Sequence, residues 1–162
     1  MYNKLMEVFL WIVVGLAALY LLLTFVFMHL SLEYRKKIKN SDEVIDSHIK
    51  SHISLLDLLI NDVNSHVNIK EKISLPFFND DKTKLIKQVQ ELDELIRKTI
   101  TEHNLSFLAK NNYLGALDEN TKLLRDEVYR HNSYVQNFNI ICGSFIFWPI
   151  VKILRLQKKD KY

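Results

Sequence analysis

The residues best suited to chemistry in this chain are histidines. His48 and His52 stand four apart, a spacing that presents two ring nitrogens on one helix face and could offer both to a single metal ion. The helical zinc-protease pattern requires a glutamate directly after the first histidine. Here Ile49 follows His48, and no third ligand stands beside the pair. The two histidines therefore read as polar rim residues of a helix. His131 falls on an apolar seam with no nucleophile near it in sequence, which marks a hydrogen-bonded packing histidine in preference to a general base. Asp80 and Asp81 form a carboxylate pair that could in principle share acid and base work. Their position after Asn79, directly before a helical segment at Lys82 to Glu102, matches helix capping and dipole compensation better. Serines and aspartates are otherwise scattered, without a strand-to-helix nucleophile elbow. Three glycines are too few for a phosphate-cradling loop or a dinucleotide-binding turn. A single cysteine, Cys142, excludes an internal disulfide and a cysteine zinc cluster and reads as a small apolar packing residue. No catalytic residue, metal ligand or cofactor is assigned.

The elements around these residues say more. Val8 to Met28 is a run of 21 residues without a charge, about 30 Å as a helix and so the thickness of the hydrocarbon core of a bilayer. Its fourteen Leu, Ile, Val and Phe residues favour insertion by roughly 4–8 kcal/mol. The run is longer than a signal-peptide core and continues into Phe25, Val26, Phe27 and Met28 instead of a small-residue cleavage site. Arg35, Lys36, Lys37 and Lys39 crowd its C-terminal flank, which predicts a cytoplasmic domain after the anchor and a short extracytoplasmic N-terminus before it. The expected organisation is an N-terminus over 1–7, a transmembrane anchor over 8–30, a cytoplasmic helical bundle over 31–139 and an apolar then basic segment over 140–162. The net charge of +3 is small and the basic clusters flank apolar segments, so nucleic acid is not an expected partner.

After the anchor, Ile38, Ile45, Ile49, Ile53, Leu56, Ile60, Val63 and Val67 recur at helical spacing. Nothing between Leu32 and Ile38 breaks a helix, so the anchor is expected to run straight on. A second helix carries Leu85, Val89, Leu92, Ile96 and Ile100 on one stripe. A third carries Leu114, Leu117, Thr121, Leu124, Val128, His131, Val135 and Phe138 with spacings that alternate three and four. Such a heptad seam serves an intramolecular bundle and an intermolecular coiled coil equally well. The predicted fold is all-α: a transmembrane helix followed by an antiparallel bundle of about three long helices.

Ile140 to Val151 is twelve residues long and uncharged, with Phe145, Phe147 and Trp148 in it and a basic tail after it. At about 18 Å as a helix it is too short to span a bilayer, and Pro149 interrupts it. Counting three antiparallel helices outward from the membrane leaves this segment at the far end, where its aromatic residues would be buried against a neighbouring subunit or a partner.

The order anchor, long helix, connection, two helices and aromatic-basic tail resembles the LemA family of bacterial membrane proteins. Ile45, Asp46, Ile49, Lys50, Leu55, Leu56, Leu59, Ile60 and Val63 are similar to its first-helix pattern. Leu108, Ala109, Asn112 and Tyr113 resemble its lead into an asparagine and an aromatic. His131, Asn132, Val135, Phe138 and Asn139 resemble its repeated tyrosine-asparagine motif, with Phe145 following. The chain departs from the pattern at Ser51 and His52, where paired arginines are usual, and at Asp57, Thr121, Val128 and Ile146. The resemblance implies a bacterial inner-membrane protein with a helical cytoplasmic domain and no known enzymatic activity, some relatives organising specialised membranes. It makes Asn132, Asn139, Phe145 and Trp148 the candidate interaction residues. The function expected is a non-enzymatic, self-associating scaffold or adaptor in contact with the lipid bilayer and other membrane proteins, or alternatively an accessory subunit of a membrane enzyme or transporter.

Overall fold

The computed structural model describes residues 2–66, 72–78, 81–105 and 112–162, apart from the side chains of Tyr2, Asn3, Leu5 and Phe145. Of the positions singled out above, Val67, Asn79, Asp80, Leu108 and Ala109 lie outside the described residues. Among the described residues there are four α-helices: α1 (Tyr2–Asn64), α2 (Lys82–Glu102), α3 (Tyr113–Cys142) and the short α4 (Trp148–Ile153), the last entered through a 3₁₀ turn at Phe145–Phe147. No strand occurs among the described residues. α1 is unbroken because no proline lies between its ends and its one glycine, Gly15, is isolated and followed by the strong helix formers Leu16, Ala17 and Ala18. Asp81 is the N-cap of α2, its carboxylate accepting from the Thr83 N–H at 3.0 Å. At the other end Asn104 adopts a left-handed conformation (φ 54°), and the Leu105 N–H reaches back to the Ile100 carbonyl at 2.9 Å. This closes the orphan carbonyls of the last turn.

The chain divides into two compact units, one of residues up to Lys39 with Asn132–Lys161, the other of Asn40–His131 with Tyr162. In the second unit, Leu56, Leu59, Ile60 and Val63 of α1 pack with Val89, Leu92, Ile96 and Ile100 of α2 and with Leu117 of α3. Ile45 and Ile49 pack with Leu124, Leu85 and Ile86. Contacts ascend together along α1 and α2, since Lys82 meets Asp42 and Asp46 while Ile100 joins Val63. They run in opposite order along α1 and α3, from His48 with Asn120 to Ser41 with Glu127. In the first unit Phe27 and Ile38 of α1 pack with Val135 and Phe138 of α3 and with Leu156. The seam of α3 is thus covered from within the chain: Leu117, Leu124, His131, Val135 and Phe138 are all buried.

The C-terminal segment does not end far from the apolar run. Phe147 stacks on Phe27 with ring centroids 4.3 Å apart. The expectation from helix parity is corrected by the connection before α2. Having left α1 at Asn64, the chain begins α2 again beside Asp42, so α2 repeats the direction of α1 and α3 alone returns.

α1 holds one stretch long and apolar enough to cross a membrane, near the N-terminus, and none of that stretch is buried within the protein. Phe9, Leu10, Trp11, Leu16, Leu21, Leu22 and Phe25 are all exposed. Within this run the Thr24 hydroxyl donates to the Tyr20 carbonyl at 2.8 Å, which satisfies its donor without water.

Candidate functional site

Three polar centres stand out, two in the second unit and one in the first. The first is built on Asn120. Its Nδ2 donates to the His48 carbonyl at 3.0 Å and lies 3.2 Å from His52 Nδ1, while its Oδ1 is 3.1 Å from His48 Nδ1. A carbonyl only accepts, so the amide orientation is fixed and with it both imidazoles: His48 carries its proton on Nδ1, and His52 carries its proton on Nε2. The pair predicted to share a helix face does share it, but both Nδ1 atoms are directed to Asn120 and do not converge on a common metal. Among the described residues no group of three or more His, Cys, Asp or Glu side chains is placed to hold a metal ion.

His52 is 2% exposed, and its Nε2 has no hydrogen-bond partner among the described residues. Burial lowers its pKa, opposed by the Asp93 carboxylate and reinforced by Arg97. The unfolded chain takes up this proton near pH 6.5 and the folded one only below that. The stability owed to neutral His52 is therefore complete above pH 6.5 and is lost as pH falls through the lower folded value. Denaturation midpoints measured from neutral to mildly acidic pH should decline in the wild type and decline less in His52→Leu. Equal slopes would show that another group carries the dependence. Beside His52 lies a cavity of about 380 Å³ whose lining includes Gln90, Asp93, Thr121 and Arg125.

The second centre surrounds Asp42. Its carboxylate accepts from the Tyr162 hydroxyl and stands 3.4 Å from Lys82 Nζ and 3.8 Å from His131 Nδ1. Lys82 also pairs with Asp46 at 2.9 Å and lies over the Tyr162 ring, which itself stacks on His131 with centroids 4.6 Å apart. Burial and the bond to Asp42 push the Tyr162 phenol up to about 12, so it remains a donor at physiological pH. Directly before Asp42 in the chain, the Ser41 hydroxyl donates to Glu127 Oε1 at 2.5 Å, and Arg130 holds the other carboxylate oxygen at 3.2 Å. A hydroxyl beside a carboxylate resembles a nucleophile beside its base. Ser41, Glu127 and His131 are each buried, however, so a substrate could not reach them. The arrangement locks three segments together through charge-assisted bonds. Sequence reading found His131 here but missed Ser41, Asp42, Lys82, Glu127 and Tyr162.

The third centre is basic and lies in the first unit. α4 ends with Arg155 in the left-handed region (φ 49°), the Arg155 N–H bonded to the Lys152 carbonyl at 3.2 Å and the Leu156 N–H to Val151 at 2.9 Å. Asn139 then clamps the tail: its Nδ2 donates to the Lys159 carbonyl at 2.8 Å, and its Oδ1 accepts from the Lys159 N–H at 2.9 Å. These two devices frame a cavity of about 330 Å³ lined by Arg35, Arg155, Gln157, Lys158 and Lys159 over Phe138 and Leu156. Cys142 lies within electrostatic reach of Lys158 and Arg35, though burial dominates and raises its thiol pKa.

The candidate residues divide accordingly. Asn139 is a tail clamp. Asn132, half-buried, shares its helix face. Trp148 is 58% exposed with Lys152 Nζ 5.2 Å from its ring centre, and the Phe145 side chain lies outside the described residues. Of the flanking cations, Lys37 pairs with Glu33 at 2.6 Å beneath the Tyr34 and Tyr134 rings, while Arg35, Lys36 and Lys39 are exposed. No family model matches this chain, and neither does any curated protein or solved structure.

Proposed function

We propose that the chain is a single-pass protein of a bacterial inner membrane, LemA-like, whose cytoplasmic helical bundle works as a non-enzymatic scaffold or adaptor. α1 supplies the anchor over 8–30, and α1 and α3 form the antiparallel pair of the bundle with α2 beside them. The observation that carries the reading is the combination of an apolar N-terminal stretch of α1 that is left exposed with two polar centres, around Asn120 and Asp42, spent on internal bonds. Such an apolar surface is a liability in water and finds its natural cover in lipid. Arg35, Lys36, Lys37 and Lys39 after the span support a cytoplasmic domain.

The bundle also supports an adaptor role. Each of its helices keeps large apolar side chains on the outside, Val44 and Leu58 on α1, Leu95 on α2, Leu123 and Tyr129 on α3. These are surfaces for a second copy or another membrane protein. The test is the mass of full-length protein extracted in mild detergent, by light scattering and native mass spectrometry with co-purifying proteins identified. A homo-oligomer that dissociates in Leu58→Ser/Leu95→Ser supports the self-associating scaffold. A fixed complex with one different protein would replace it by the accessory-subunit reading.

A further inference from the structure

The basic cavity of the first unit has features that a merely solvated tail would not need. Arg35, Arg155, Lys158 and Lys159 line it, and no carboxylate does. Among the described residues Arg35, Arg155 and Lys158 are paired with no acid, the nearby Glu33 being held by Lys37. Arginine is a poor choice for a left-handed position that glycine or asparagine would take without strain, and at that position it holds a fourth positive charge on the rim.

Its place along α1 is equally specific. Phe147, at the entry to α4, stacks on Phe27 in the last turn of the uncharged run. Arg35 follows Met28 by seven residues, about 10 Å along the helix, and its side chain leans back toward the N-terminus. The headgroup layer of one leaflet is roughly 5–7 Å deep, so the guanidinium reaches the phosphate level. Ile146, Trp148 and Ile153 are exposed on the same segment, the residue types that settle where headgroups meet acyl chains.

We infer that this cavity binds the phosphate of an anionic phospholipid in the leaflet from which α1 emerges, with Ile146, Trp148 and Ile153 seated at the adjoining interface. The inference rests on reading α1 as a membrane span. Arg155 and Lys158 close on the phosphate from the tail, Arg35 from α1, and the Asn139 clamp on Lys159 holds the tail in place.

The test titrates full-length protein in mild detergent with phosphatidylglycerol and with phosphatidylcholine and counts retained lipid by native mass spectrometry. Phosphatidylglycerol should be preferred. Arg155→Gly/Lys158→Gln, which relaxes the left-handed turn while removing two charges, should weaken its retention by roughly twenty-five-fold, about fivefold for each basic residue. Lys98→Gln/Lys122→Gln, which removes the same charge from the second unit, should leave it unchanged. Equal retention of both lipids by the wild type, or equal losses in the two variants, overturns the proposal. Displacement of the lipid by inorganic phosphate would do so too, reassigning the cavity to a soluble anion. Alkaline carbonate extraction of membranes separates the two levels: release of the protein sinks the membrane reading itself, whereas an integral protein without lipid preference sinks this inference alone.

Discussion

Phe138→Ala is expected to destabilise the protein by about 3–5 kcal/mol, the range for deleting a buried aromatic ring without collapse of the space it leaves. Phe138 is 1% exposed and sits among Phe27, Ile38, Val135 and Leu156. These neighbours come from a long helix, a facing helix and a clamped tail, and no one of them can move into the void without breaking its own packing. The measurement is chemical denaturation of the detergent-solubilised protein followed by circular dichroism. Ile140→Ala is the control, two residues along on the same helix and 65% exposed, and should shift stability by no more than about 0.5 kcal/mol. If the two variants behave alike, the packing described for the first unit is wrong.

Asn120→Leu should be nearly as damaging, by roughly 2–5 kcal/mol, because it orphans partners in a low-dielectric site in addition to removing bonds. The amide serves the His48 carbonyl, the His48 ring and the His52 ring at once, and it is 7% exposed. Adding His52→Leu should restore part of the loss, since replacing both members of a buried polar pair by apolar groups removes the unsatisfied atom. A double variant no more stable than Asn120→Leu would show that the His52 contact contributes nothing.

Much of the helical frame was legible in the residues. Ile38, Ile45, Ile49, Leu56, Ile60 and Val63 recur at three-, four- and seven-residue spacing and are buried where that spacing puts them, because burying one face of a long helix is a local property of its pattern. The stretch from Val8 to Met28 was equally plain. The direction of α2 was not, since apolar stripes are indifferent to whether neighbouring helices run the same or opposite way. The only covalent hint was a connection between Asn64 and Lys82 long enough to run back along α1. Counting helices as alternating therefore misplaced Phe147. The Asp42 centre left a faint trace: the stripe of α1 skips from Ile38 to Ile45 with Ser41 and Asp42 between, and the seam of α3 carries His131 beside Glu127. Two polar gaps in facing stripes are a signal for a buried network, but only if the register of α1 against α3 is already known. The basic cavity needed the tail to fold back onto Asn139, which no periodicity encodes.

The cores of this protein are closed late in its synthesis. Ser41 waits for Glu127 and His48 for Asn120, partners 86 and 72 residues downstream, and Asp42 waits for Tyr162 across 120. At about 5–20 residues per second, α1 stands on the ribosome with Ile38, Ile45 and Ile49 uncovered for roughly 4–24 seconds before α3 and the tail are made. On the proposed membrane reading, the apolar run, exposed over most of its length, can enter a bilayer during that interval. On that reading, lateral insertion precedes helix pairing in time, and the growing chain is tethered before its sticky stripes have cover. Truncation within α3 ahead of Asn120 leaves a half-built core, since Ser41, His48 and Ile49 then lack the partners that cover them.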